Sequence, residues 1–211
     1  MKMGDQLTDV RRCPHCSIAT PLLYQVWASK GSEGTPRTDG QDRKAWATYL
    51  CRTCGGAVSA EAYGPYIGQE AAYLYPGTKQ AHEDIPSITR VFLQQAFDTL
   101  HAPDASAVMA GSAVDAMLKE RGYDDQKKSL YARIDQALAD NVLTQGMAEW
   151  AHSVRLGSNR PRHADAERPH VSHAEARQSV EFAEALGNFL FVLTAKIDRG
   201  IEAAKTASAV K

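Results

Sequence analysis

"CPHC" (13–16) and "CRTC" (51–54), the second followed by "GG", are two Cys-x2-Cys knuckles separated by 34 residues. Each knuckle turns the chain so that two thiolates can grip one ion, and two of them make a closed, tetrahedral four-sulfur site of the kind zinc favours. The spacing predicts one structural Zn2+ per chain, held by Cys13, Cys16, Cys51 and Cys54. Four thiolates leave no coordination position open for catalysis. Two redox-active pairs are the alternative, but neither knuckle opens a helix in a βαβ context. His15, inside the first knuckle, reads as an exposed residue rather than a ligand, because the cysteines already complete the site.

Working outward, "PLLYQVWA" (21–28), "AWATYLC" (45–51) and "AVSAEAY" (57–63) read as three strands of a small ribbon. In the first, Leu23, Gln25 and Trp27 share one face. The loop at 30–44 mixes Arg37, Arg43 and Lys44 with Glu33, Asp39 and Asp42, so it announces no phosphate-binding surface. Whether the ribbon binds nucleic acid, protein or neither stays open. All four cysteines fall in the first 54 of 211 residues, which is the first sign of two modules.

The composition is that of a soluble globular protein, with 44% hydrophobic and 23% charged residues. A net charge of −1 predicts no polyanion partner by itself, so any nucleic-acid contact must come from local patches. The polar start "MKMGDQLTDVRR" lacks the apolar core of a signal peptide. "NFLFVLTA" (188–195) is far shorter than the roughly 20 residues a membrane span needs. These features predict a cytoplasmic, prokaryotic-style protein without a membrane partner, a setting that also disfavours disulfides between the cysteines.

A Gly-, Pro- and Tyr-rich linker (64–80) separates the modules, giving a zinc ribbon with linker over 1–80 and a helical module over 81–211. Helical periodicity starts at "DIPS" (84–87), with Ile88, Val91, Phe92, Ala96 and Leu100 on one face. The next helix presents Ala107, Ala110, Gly111, Val114, Met117 and Leu118, small enough to let a neighbour approach closely, and Gly122 ends it. A third uses Leu130, Ile134, Ala137 and Leu138. A fourth uses Met147, Trp150, Ala151 and Val154 and is expected to stop at "LGSN". "SHAE" (172–175) is a capping box for the last helix. That helix carries one stripe through Ala176, Val180, Ala183, Gly187, Leu190, Thr194 and Ile197, and a second through Phe182, Leu186, Phe189 and Leu193. The second stripe suits either a wide bundle core or a second protomer. The expected architecture is mainly α, an antiparallel bundle of four to five helices preceded by a small β zinc ribbon.

"RLGSNRPRH" (155–163) is the candidate chemical site. Metal-free RNA cleavage needs a base for the 2′-hydroxyl, an acid for the leaving 5′-oxygen and a cation for charge on the phosphorane. Histidine suits the proton transfers and arginine the phosphate. Arg155 and His163 are the candidates, with Asn159 between them and Arg160 and Arg162 placed to hold neighbouring phosphates. The structural alternative has Arg155 capping helix carbonyls, His163 holding a turn, and Arg160 and Arg162 as solvated loop charge. His170 and His173 could join His163 or Asp165 at a second metal, but "ERPHVSHAE" reads better as a loop and N-cap.

The pieces "AVMAGSAVDAMLKERGY", "SLYARIDQALADNVLT" and "MAEWAHSVRLGSNRPRHADAE", with the closing helix, resemble domain-of-unknown-function family 4145 over roughly 85 to 200. Members of that family often carry an N-terminal zinc ribbon. The family in turn looks like a branch of the HEPN superfamily of dimeric helical bundles, many of them metal-independent endoribonucleases in toxin–antitoxin, anti-phage and CRISPR systems. The signature of that superfamily is an arginine, four to six residues and a histidine. The matching residues are Arg155 and His163, but seven residues separate them, Leu156 stands where active members usually carry a polar group, and Ser158 splits the family's Gly-Asn pair. The resemblance implies a homodimer with a composite site at its interface. It also implies an endoribonuclease acting on RNA in phage defence or stress, with Arg155 on the scissile phosphate and His163 as acid/base. The departures favour a second reading, a non-catalytic zinc-ribbon dimeric adaptor or nucleic-acid-binding accessory subunit working with a defence-system partner protein. A third is a dimerisation protein whose ribbon only stabilises the fold.

Overall fold

The computed structural model describes residues 1–29, 37–41, 43–64, 68, 70–163 and 166–209. Glu33, Asp42 and Asp165, and most of the loop expected at 30–44, lie outside them. The chain divides into two compact units, Met1–Lys79 and Gln80–Lys211.

The first unit is a four-stranded antiparallel sheet in the order β1 (Leu23–Ala28), β2 (Lys44–Cys51), β3 (Ala57–Tyr63), β4 (Ala71–Tyr75). Strict alternation on β2 turns Ala45, Ala47, Tyr49 and Cys51 inward and Lys44, Trp46, Thr48 and Leu50 outward. The inner face packs on Met3, Leu7 and Val10, so the polar-looking N-terminal segment contributes three side chains to this small core. Two expectations change. First, β4 falls inside the stretch read as linker. Its five residues alternate weakly and end at Pro76, too short a pattern to separate from a turn. Second, Trp27 does not share a face with Leu23 and Gln25. A bulge between Gln25 and Trp27 inserts one residue and turns Trp27 outward, opposite Thr48.

The second unit is helical: α1 (Ser87–Asp98), α2 (Pro103–Glu120), α3 (Leu130–Ala139), α4 (Gln145–His163), α5 (His173–Gly187) and α6 (Leu193–Ala209). A π-helical stretch, Asn188–Val192, joins α5 to α6 with helical dihedrals on both sides, so the last helix is continuous. Its capping box forms as the sequence predicts, with Ser172 accepting from Glu175 N and Glu175 accepting from Ser172 N. The α2 helix is central and packs on α1, α4 and α5. Its small residues are the reason: a Cβ at Gly111 would stand 2.5 Å from Ser158 Oγ and 2.7 Å from Ser158 Cβ on α4.

Three expectations are corrected here. The buried face of α1 is Thr89, Leu93, Ala96 and Phe97, while Ile88 and Val91 are exposed. Both sets satisfy helical spacing, and periodicity alone cannot say which of two adjoining stripes faces inward. Phe189, Leu193 and Ile197 are exposed, because the π turn at Asn188–Val192 adds a residue and rotates the stripes from its first residues onward. The third correction concerns the end of α4, which does not stop at "LGSN" but runs to His163 with Pro161 inside its last turn. Gly157 and Ser158 look like breakers in sequence, yet Ser158 is buried at the close contact with Gly111. The packing against α2 overrides local propensity. Among the described residues, no helix is long and apolar enough to cross a membrane.

Candidate functional site

The two knuckles meet at one point. The four cysteine sulfurs lie within 4.8 Å of one another, and Cys13 Sγ and Cys54 Sγ are 3.9 Å apart. Both turns are built alike. Ser17 N donates to Cys13 O and Gly55 N to Cys51 O, with Ser17 at φ 59° and Gly55 at φ 70°. Metal–sulfur bonds of about 2.3 Å in a tetrahedron place sulfurs about 3.8 Å apart, so the quartet fits one ion. Burial, partly offset by the backbone N–H groups of Cys16 and His15, pushes the Cys13 thiol up to about 12. His15 is not a fifth donor: its Nε2 bonds Ala57 O at 2.8 Å, and its ring fills the space where a Cβ on Gly56 would stand. Among the described residues, this quartet is the one gathering of three or more potential metal donors. His170 pairs with Asp104 instead, Nδ1 to Oδ2 at 2.7 Å.

The helical unit holds a cleft of about 540 Å³ between α1, α2, α3 and α4. Because α4 is helical through the whole motif, positions follow the 100° step. Asn159 and Arg162 come round to within about 40° of Arg155, and all three line the cleft. The Arg155 guanidinium lies 5.2 Å from the centroid of the Tyr131 ring, and its buried Nε has no hydrogen-bond partner. Arg162 donates to Ser112 Oγ at 2.8 Å and to Val108 O at 3.3 Å. Arg133 is spent on structure, donating to Asp115, Tyr123 O and Asp125 O and tying α3 to the α2–α3 loop.

The other candidates lie elsewhere on α4. Arg160, about 140° from Arg155, binds Glu175 at 2.8 Å. The Ser172 backbone N–H first, and Arg160 second, hold the Glu175 carboxyl down at about 2. Arg160 therefore stitches the end of α4 to the start of α5. His163 is exposed, about 80° round and about 12 Å along the axis from Arg155, and does not line the cleft. Within one chain, Arg155 and His163 do not converge on one point.

Sequence reasoning missed His152, one turn before Arg155. Its Nε2 meets Asp135 at 3.0 Å and its ring packs on Tyr131 at 4.8 Å, while its Nδ1 is buried and unpartnered. Asp135, His152 and Tyr131 thus form a support that holds the Arg155 guanidinium in place. An i, i+3 spacing to Arg155 was the available signal, but it is visible only once the segment is known to be helical.

No curated protein and no solved structure matches the chain. One family does, described as "Domain of unknown function (DUF4145)", over residues 93–204. The match takes in α2, α3, α4 and α5, with Arg155, Asn159, Arg162 and His163, and leaves the cysteine unit outside. Since it spans more than half of the chain, the protein belongs to the DUF4145 family.

Proposed function

We propose that the helical unit binds RNA through its phosphates, and that two copies together form a metal-independent endoribonuclease. The observation that carries this is the Arg155–Asn159–Arg162 face inside the cleft, with Arg155 pre-positioned by Tyr131 and its Nε unpartnered. An arginine fork held in a half-open cleft suits a phosphodiester. In the reaction, the 2′-oxygen attacks phosphorus as a histidine removes its proton, and the 5′-oxygen leaves as a second histidine protonates it. The products are a 2′,3′-cyclic phosphate and a 5′-hydroxyl. One chain supplies one His163, too far from its own Arg155 to act beside it, so the two proton carriers are the His163 side chains of two copies, one as base and one as acid, brought together across a two-fold axis. The exposed row Phe189, Leu193, Ile197 and Ile201 is apolar surface suited to such a pairing. The HEPN-like assignment, and with it a place in phage defence or stress, rests on the resemblance of the 155–163 motif. In the ribbon the metal is zinc, one per chain, and structural.

The position of His163 outside the cleft favours a second reading. Here the protein binds RNA without cutting it, as a zinc-ribbon adaptor or accessory subunit of a defence system. Incubating looped RNA with the protein in EDTA separates the two. The nuclease reading expects cyclic-phosphate ends, loss of cleavage in His163→Ala without loss of RNA binding, and cleavage about 100- to 1,000-fold slower in Arg155→Ala. Binding with no cleavage, lost in Arg155→Ala alone, assigns the adaptor.

A further inference from the structure

The outward face of the sheet in the first unit carries aromatic side chains from all four of its strands. Register places them in rows. Trp27 on β1 faces Thr48 on β2, Thr48 faces Ser59 on β3, and Ser59 faces Tyr75 on β4. In the neighbouring row, Trp46 faces Glu61 and Glu61 faces Tyr73. Tyr63 stands two residues beyond Glu61 on β3. The rings are in contact from one to the next: Trp46 to Tyr75 at 5.7 Å, Tyr75 to Tyr73 at 6.4 Å, Tyr73 to Tyr63 at 5.9 Å. They are not core. Trp27 is 55% exposed, Tyr63 63%, Tyr73 48% and Tyr75 47%. An outward sheet face usually carries charged and small polar groups, so this one costs solubility and asks for an occupant.

We infer that this face binds single-stranded RNA, with bases stacked on Trp27, Tyr73, Tyr75 and Tyr63. Three observations choose that occupant. Trp27 and Tyr75 lie about 14 Å apart across three strand spacings, with only the small Thr48 and Ser59 between them, a shallow trough the length of two or three nucleotides. Glu61, the acid between Trp46 and Tyr73, is buried and paired with Lys44, and it accepts from Tyr75 OH at 3.2 Å. Beyond Tyr63 the face runs into a cleft of about 890 Å³ lined by Arg43 together with Arg37, which pairs with Asp39, and Lys44, which pairs with Glu61, so the aromatic end is bordered by basic side chains whose charge is already partly balanced. The hydroxyls of Thr48 and Ser59, 3.1 Å apart on the floor of the trough, offer partners to a ribose 2′-hydroxyl. The inference shares its ligand class with the function proposed above but rests on a different unit and on none of the α4 residues.

Two of the three tryptophans, Trp27 and Trp46, stand on this face, and the third, Trp150, is in α4. Stacking therefore reports on itself. Full-length protein is titrated with a labelled 12-nucleotide oligouridine, and both anisotropy and tryptophan emission are followed. The expected result is binding with quenched emission, weakened about 5- to 100-fold by Trp27→Ala or Tyr75→Ala. Tyr75→Phe keeps the stacking ring and retains most of the affinity. One metal per chain in each variant shows that the sheet still folds. The same titrations repeated in an Arg155→Ala background remove the α4 contribution, so the outcome at the sheet is read apart from the outcome of the α4 reading. Undiminished binding in the alanine variants overturns the inference, as does binding without quenching. Equal affinity for duplex RNA or for oligothymidine overturns the single-strand or the RNA assignment. Binding of a proline-rich peptide with no response to oligouridine assigns the face to protein instead.

Discussion

Replacing Gly111 by alanine is a sharp test of the helical course of α4 through its motif. A Cβ there would sit 2.5 Å from Ser158 Oγ and 2.7 Å from Ser158 Cβ. Rotating the hydroxyl away clears only the first contact, because the second involves an atom fixed by the backbone of α4. Ser158 is 1% exposed, so it cannot retreat into solvent, and α2 and α4 must separate. Overpacking of this kind costs about 1–3 kcal/mol. Alanine returns up to about 1 kcal/mol of helix propensity over glycine. The net expectation is a loss of about 1–2 kcal/mol, read as a lower urea midpoint of the far-ultraviolet helical signal. Removing the opposing Cβ should rescue it: in Gly111→Ala with Ser158→Gly, the pair is coupled by at least about 1 kcal/mol relative to the sum of the single changes. A Gly111→Ala protein as stable as the wild type, or more stable, would refute the close α2–α4 contact. It would return 156–163 to the turn that its composition suggests.

Three further outcomes follow from the geometry. Cys51→Ser should abolish stoichiometric zinc by elemental analysis and unfold the sheet while the helical signal persists, since each unit has its own core; retained zinc would sink the quartet assignment. Glu175 has a folded pKa of about 2, below its ordinary 4.5, so its contribution is present above about pH 4.5 and disappears as pH falls towards 2. The stability difference between wild type and Glu175→Gln should shrink over that window, and parallel pH profiles would contradict it. Tyr131→Leu removes the ring beneath Arg155 and the packing on His152, and should weaken RNA binding without changing the zinc content, with unaltered affinity counting against the support role.

What the sequence made legible was what local spacing encodes. The knuckles, the Ser172–Glu175 capping box and the small-residue stripe of α2 each depend on neighbours within a few positions, and each appears in the structure as read. What it hid depends on partners distant in the chain. The Gly111–Ser158 contact holds "LGSN" in a helix against its own propensity, and that one tertiary effect re-sorts the motif. Arg155, Asn159 and Arg162 become one face, Arg160 turns to Glu175, and His163 moves out of the cleft. The aromatic sheet face was hidden for a similar reason. A bulge at β1 turned Trp27 outward, and β4 brought Tyr73 and Tyr75 from a stretch that reads as linker.

The α4 face is proposed to take an RNA phosphate on Arg155, and that contact can be observed directly. The Nε–H of Arg155 is buried, which slows its exchange with water, so its side-chain signal is followed in a nitrogen–proton correlation spectrum. Titrating non-cleavable 2′-O-methyl oligouridine into the Trp27→Ala, Tyr75→Ala protein, whose sheet face is disabled, isolates the cleft. The expected result is that the Arg155 signal shifts in step with Arg162 and the Asn159 amide, and that excess salt reverses it. An Arg155 signal that stays in place at saturating oligonucleotide would contradict it.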